Sequence, residues 1–172
     1  MENTFTGLTS AEFIAIFAGI IALIALCVSL WQGFVSRKHN QLSVKPYIST
    51  QSNKISGQNI SCEITNHGVG PAFITSVTIT CNNQIYPLNN YTDFINIFNL
   101  LGIELTSHDH IMQSYSDTSA LAQGAQKSLF SFPTAEHDIE LSEKLISGLS
   151  KLYIKIEYKC IYGNKYICSN TL

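Results

Sequence analysis

Between Glu12 and Arg37 the chain carries no formal charge, and Phe13 to Trp31 is nearly all apolar. At about 1.5 Å rise per residue, a run of that length crosses the roughly 30 Å hydrocarbon core of a bilayer. The pattern predicts a transmembrane helix over residues 13–36, preceded by an extracytoplasmic tail over 1–12. The run also has two unlike faces. Ala11, Ala15, Ala18, Ala22, Ala25, Ser29, Gln32 and Ser36 follow one another at alternating spacings of four and three. The neighbouring stripe is bulky: Ile14, Phe17, Ile21, Ile24, Val28, Trp31 and Val35. Helices in lipid associate by close backbone approach and by side-chain hydrogen bonds, because lipid tails are as apolar as leucine. A sustained four-three spacing keeps one seam in register along a left-handed bundle. The expected self-association seam is therefore Ala15, Ala18, Gly19, Ala22, Ala25, Ser29 and Gln32, and the expected partner is a second copy of the chain.

The flanks set an orientation. No lysine or arginine precedes Glu12, the apolar run exceeds a secretory h-region, and no Ala-x-Ala site separates it from the basic cluster, so an anchor is expected rather than a cleaved signal. Arg37, Lys38 and Lys45 follow the run, whereas Glu2 and Glu12 lie before and at its start. The positive-inside rule then puts the amino end outside and the carboxyl-terminal part in the cytoplasm, with Trp31 as an interfacial anchor. The expected location is a bacterial inner membrane, crossed once.

Charge limits the partners of the rest. Of twelve acids and ten bases, ten acids and seven lysines lie beyond Lys45, with no arginine among them. A domain of that balance lacks the basic footprint of general nucleic-acid binding. Cys62, Cys81, Cys160 and Cys168 could form two bridges in an oxidising space, but the expected orientation makes them reduced thiols. No C-x-x-C spacing suggests zinc or redox chemistry.

Beyond a polar juxtamembrane linker over 37–46, strand signals dominate residues 47–172. Ile60, Cys62 and Ile64 alternate with Ser61, Glu63 and Thr65, the period of a half-buried strand. Asn66-His67-Gly68-Val69-Gly70-Pro71 reads as a tight turn before the β-branched run Ala72 to Cys81. Gln84 to Leu88 and Gln126 to Phe132 add further strands. Thr92 is a candidate cap for a helix through Leu101 closed by Gly102, and Asp138 for a second with Leu141, Leu145, Ile146 and Leu149 inward. Ser107 to Thr118 is polar and without periodic pattern. At the carboxyl end Leu152 to Cys160 and Lys165 to Ser169 form a hairpin about Gly163-Asn164, a two-residue loop that would set Cys160 opposite Ile167. The fold expected is a transmembrane α-helix followed by a mainly-β, sandwich-like domain with one or two short helices.

Three stretches carry a family likeness. Arg37-Lys38-His39-Asn40-Gln41-Leu42-Ser43-Val44-Lys45-Pro46, the Asn66 to Ala72 turn and the Tyr158 to Tyr166 hairpin resemble uncharacterised bacterial single-pass membrane proteins. That resemblance implies a cytoplasmic immunoglobulin-like β-sandwich on an anchor, and no catalytic activity.

Few clusters carry chemistry. His108 and His110 would point the same way in an extended chain, but two imidazoles alone are no metal site, and neither a metal nor a cofactor is expected. No phosphate loop, nucleophile elbow or H-E-x-x-H occurs, so no catalytic residue is assigned. Tyr153, Lys155, Lys159, Tyr162 and Lys165 on the terminal hairpin are the candidate ligand-binding set, since tyrosine beside lysine can stack a ring and neutralise a phosphate. The expected function is a non-enzymatic, membrane-anchored sensor-effector. Its β-domain would bind a small ligand or partner protein and act on a self-associating helix, as in membrane-acting antiviral defence. The alternative is a passive anchored interaction module such as an immunity or exclusion protein.

Overall fold

A computed structural model describes residues 9–105, 108–115 and 119–172, with Thr134 described by its backbone alone. The expected tail over 1–12 therefore lies mostly outside the described residues, as do parts of the polar stretch Ser107 to Thr118. The chain divides after Leu42 into two compact bodies. The described residues of the first form a single helix after Thr9. The second, Ser43–Leu172, holds every strand.

Helix α1 spans Ser10–Ser43, 34 residues, and buries none of them. Its start is a capping box: the Thr9 N–H and Oγ1 donate to Glu12 Oε2 at 2.6 and 3.0 Å, and the Glu12 N–H returns to Thr9 Oγ1 at 3.4 Å. Such reciprocal bonds satisfy amides that an α-helix leaves without partners. At the other end the helix continues through Ser43, so most of the linker expected over 37–46 is helical. It stops where Lys45 precedes Pro46, because a proline pushes the residue before it out of the α region. Only Val44 to Tyr47 separates helix from first strand.

The β-domain is two antiparallel sheets packed face to face. One runs in the order β1 (Ile48–Asn53), β2 (Ile60–Asn66), β7 (Gln126–Phe132), β5 (Ile111–Met112). The other runs β4 (Gln84–Pro87), β3 (Ala72–Cys81), β8 (Tyr153–Lys159), β9 (Lys165–Thr171), with β6 (Ala120–Leu121) also paired to β3. Alternation decides which side chains go inside: Ile60, Cys62 and Ile64 from β2 meet Ile154, Ile156 and Tyr158 from β8 in one buried cluster. Phe98 packs edge-on to Phe130 and Phe132, with ring centroids 5.8 and 5.2 Å apart. The two-residue strands β5, inside the polar stretch, and β6, just after it, had no periodic signal to announce them.

Two short helices complete the domain. Helix α2 (Tyr91–Leu100) buries Phe94, Ile97 and Phe98. Its cap is Asn90 rather than Thr92: Asn90 Oδ1 accepts from the Asp93 N–H at 3.0 Å, while Asp93 Oδ2 accepts from the Asn90 N–H at 3.2 Å. Gly102, at φ +73°, ends it as expected. Helix α3 (Ile139–Leu149) is capped by Asp138, whose Oδ1 accepts from the Leu141 N–H at 3.0 Å.

The terminal hairpin differs in register from the expectation. Tyr158 pairs with Tyr166, Lys159 with Lys165 and Ile156 with Cys168. The loop is Cys160 to Asn164, closed by the Cys160 N–H to the Asn164 carbonyl at 3.0 Å. Two-residue closure at Gly163-Asn164 would have set Cys160 against Ile167. The longer loop instead stacks Tyr158 on Tyr166, centroids 5.6 Å apart, and turns Cys168 toward the packed face. Cys62, Cys81 and Cys160 are buried free thiols, and Cys168 is a half-buried one.

Candidate functional site

Chemistry in this domain concentrates where the chain comes out of its helix. Val44 to Tyr47 lies in a socket made from the turn after β2, the loop before β7 and the end of β8. Asn66 is the hub, fully buried. Its Oδ1 accepts from the Tyr47 N–H at 3.1 Å and the Gly68 N–H at 3.0 Å. Its Nδ2 donates to the carbonyls of Gly70 at 2.8 Å, Leu121 at 3.0 Å and Ala122 at 3.3 Å. The Asn66 N–H donates to the Ala125 carbonyl at 3.1 Å, and the Asn66 carbonyl accepts from the Gly124 N–H at 2.8 Å. A buried amide so fully paired fixes three segments together, because each partner would otherwise be an unsatisfied group away from water.

The glycines are there for closeness, not for curvature. A Cβ on Gly68 would run into the backbone of Lys45, Pro46 and Tyr47, and one on Gly70 into the backbone of Val44. Neither glycine has a positive φ. The strap is held further by the His67 N–H donating to the Tyr47 carbonyl at 2.8 Å and the Ile48 N–H donating to Tyr158 Oη at 3.4 Å. Burial raises the Tyr158 hydroxyl above the usual tyrosine range, so it stays protonated and neutral there. Lys45 lies over the Tyr166 ring, 5.4 Å from its centroid, and that ring stacks on Tyr158. The strap is thus pinned on both sides.

The candidate ligand set on the hairpin is not brought together as one site. Tyr153 and Lys159 stand at opposite ends of β8, roughly 20 Å apart at about 3.3 Å per residue. Lys155 is engaged by Glu157 at 2.6 Å, and that hydrogen bond, ahead of the charge itself, holds the Glu157 carboxyl below its ordinary range. Tyr162 projects from the loop. Lys165 alone joins a hollow of about 410 Å³, with Thr75, Ser76, Glu157, Tyr158, Tyr166 and Ile167, beside the bulge in β3 between Ile74 and Ser76. The histidines part company as well. His110 stacks on Tyr91 with Nε2 2.7 Å from Tyr91 Oη, while His108 faces a hollow with Glu104, Asp138 and Glu140. Among the described residues, no three His, Cys, Asp or Glu side chains converge on a point that could hold a metal.

The profile of a family described as "Domain of unknown function (DUF8453)" matches residues 8–172. The chain belongs to the DUF8453 family. The match takes in α1, the strap and both sheets, so anchor and β-domain together make up the DUF8453 unit. Among solved structures, the archaellum periplasmic stator protein FlaG from Sulfolobus acidocaldarius is similar at 12% identity and a TM-score of 0.32, over 73% of this chain and 100% of that one. No curated protein matches the chain.

Within the DUF8453 unit, two features escaped sequence reasoning. Gly33 lies one turn beyond Ser29 and continues the small face of α1, with open space where a Cβ would be. Asn66, Gly68 and Gly70 read as a local turn, and their partner lies about twenty residues earlier.

Proposed function

We propose that the protein is a non-enzymatic, membrane-anchored sensor-effector, with its amino end outside a bacterial inner membrane and its β-domain in the cytoplasm. In this reading the domain binds a small ligand or a protein, and the helix seam through Ala15, Ala18, Gly19, Ala22, Ala25, Ser29 and Gln32 carries self-association. The observation that supports it is the socket. A domain tethered only for location can hang on a slack linker, whereas this one grips the four residues that follow its helix. A ligand shifts such a system only by its differential affinity for two arrangements, and a stiff joint lets the helices feel the difference.

Disulfide cross-linking at Ala22→Cys in membranes tests the coupling. If the joint transmits, Gly70→Ala, which forces Val44 out of the socket, should change the cross-linking yield of the full chain. An unchanged yield would return the passive interaction module to first place. Orientation is tested separately: a cysteine at Asn3 should react with an impermeant maleimide in intact cells, and one at Thr171 should not. The reverse labelling overturns it.

A further inference from the structure

The strands give the domain two ends of opposite character. At one end lie the strap, the 66–71 and 122–125 loops and the β8–β9 loop, none of which contains an acid. Lys45, Lys159 and Lys165 are grouped there, the last two directly opposite each other in register. Like charges directly opposite destabilise a strand pair unless an anion shares them, and Glu157, which acts on Lys165, is already engaged by Lys155. Exposed apolar side chains share that end: Val69 is 60% exposed, Ile161 62% and Tyr162 51%. At the far end, the connection from β7 to β8 contains Glu136, Asp138, Glu140 and Glu143 against Lys144 and Lys151, a net negative balance.

The strap at this end is also the part of the domain that follows α1 in the chain. Lys45 follows the last residue of α1 by two positions. The stretch from Arg37 to Ser43 rises only about 10 Å. Lysines around exposed isoleucine and tyrosine are the composition of an interfacial contact, in which rings and aliphatic tips enter the headgroup region and ammonium groups pair with phosphates.

We propose that this end of the sandwich rests on an anionic lipid surface, with Ile161 and Tyr162 entering the interface and Lys45, Lys159 and Lys165 paired to lipid phosphate. The contact is a second hold on the membrane, distinct from the seam and from the hollow beside β3.

Tryptophan fluorescence in nanodiscs tests it on the full chain. Trp31 is the sole tryptophan, so Trp31→Phe with Tyr162→Trp leaves one reporter at the loop. The control reporter is Trp31→Phe with Ile85→Trp, beside the far-end turn, where Ile85 is 70% exposed. In nanodiscs of anionic lipid brominated near the headgroup, position 162 should be blue-shifted and quenched and position 85 should not. Lys159→Glu with Lys165→Glu should weaken the contact by roughly fivefold per charge removed and restore emission at 162. Equal quenching at 162 and 85, or quenching at 162 that the two lysine changes leave intact, overturns the proposal.

Discussion

Asn66 makes more hydrogen bonds than its environment can replace. Asn66→Ala leaves amides of Tyr47 and Gly68 and carbonyls of Gly70 and Leu121 short of partners in a site closed to water, at a cost of about 3 kcal/mol. A fall in the urea midpoint of the full chain checks it, and a neutral result would mean that water replaces the side chain. Gly70→Ala meets rigid backbone instead of a yielding side chain, so its cost is about 3 kcal/mol, the upper end for overpacking, unless the strap lets go. Cys62 sets a pH limit. Burial pushes its thiol up to about 11 from 9.0. Below pH 9 the thiol is neutral whether the chain is folded or not. As pH rises through 9 the unfolded chain loses that proton first, so stability falls between 9 and about 11, by about 2–3 kcal/mol at most. Urea midpoints at pH 8 and pH 11 should fall more steeply for the natural chain than for Cys62→Ala. The identity of these residues was legible in the sequence; their partners were not, because a strand-end asparagine and two glycines look the same whether they turn the chain or receive another segment.

Elements with a clean period were legible almost to the residue. The β-branched run Ala72 to Cys81 and the apolar run ending at Phe132 fall on β3 and β7 to the residue, and Asp138 announced α3. The α2 cap moved from Thr92 to Asn90 because the Asn90–Asp93 box satisfies two amides at once. The hairpin register could not be fixed in advance, since Gly163-Asn164 permits a two-residue loop and only the Tyr158–Tyr166 stack and the inward turn of Cys168 choose the longer one. Cysteines placed at Glu157 and Ile167, directly opposite in the observed register, should form a bridge under mild oxidant, while natural Cys160 and Cys168 stay unlinked. A Cys160–Cys168 bridge would mean a different loop. On α1, leucine at Ala15, Ala18, Ala22 and Ala25 fills the small face and should weaken self-association in a membrane by roughly tenfold, about 1.4 kcal/mol. Leucine at Ile14, Ile21 and Ile24 should leave it unchanged. Equal behaviour of the two sets reduces α1 to a plain anchor.

At the scale of the whole chain, helix and sandwich were both foreseen, but the connection between them was read as a polar linker. A lysine- and serine-bearing stretch carries no signal that a socket is waiting for it, and nothing before Pro46 marks the place where the helix stops. In the proposed oligomer, a stiff joint between α1 and the strap would give the phase of the helix a rotational meaning. Each residue in an α-helix advances about 100° and 1.5 Å, so one alanine inserted between Gln41 and Leu42 should swing every domain of an oligomer by that angle about its own axis, while seven bring it back to within about 20°. Fluorescence transfer between domains labelled at Ile85→Cys, with Cys27 and Cys168 replaced, should change for the single insertion and return toward its starting value for seven, apart from the added rise. A swivelling joint would leave the single insertion indistinguishable from the natural chain. If the joint is keyed in this way, the length of α1 is a dial setting as well as a span, and natural variation in that length should come in steps that preserve phase.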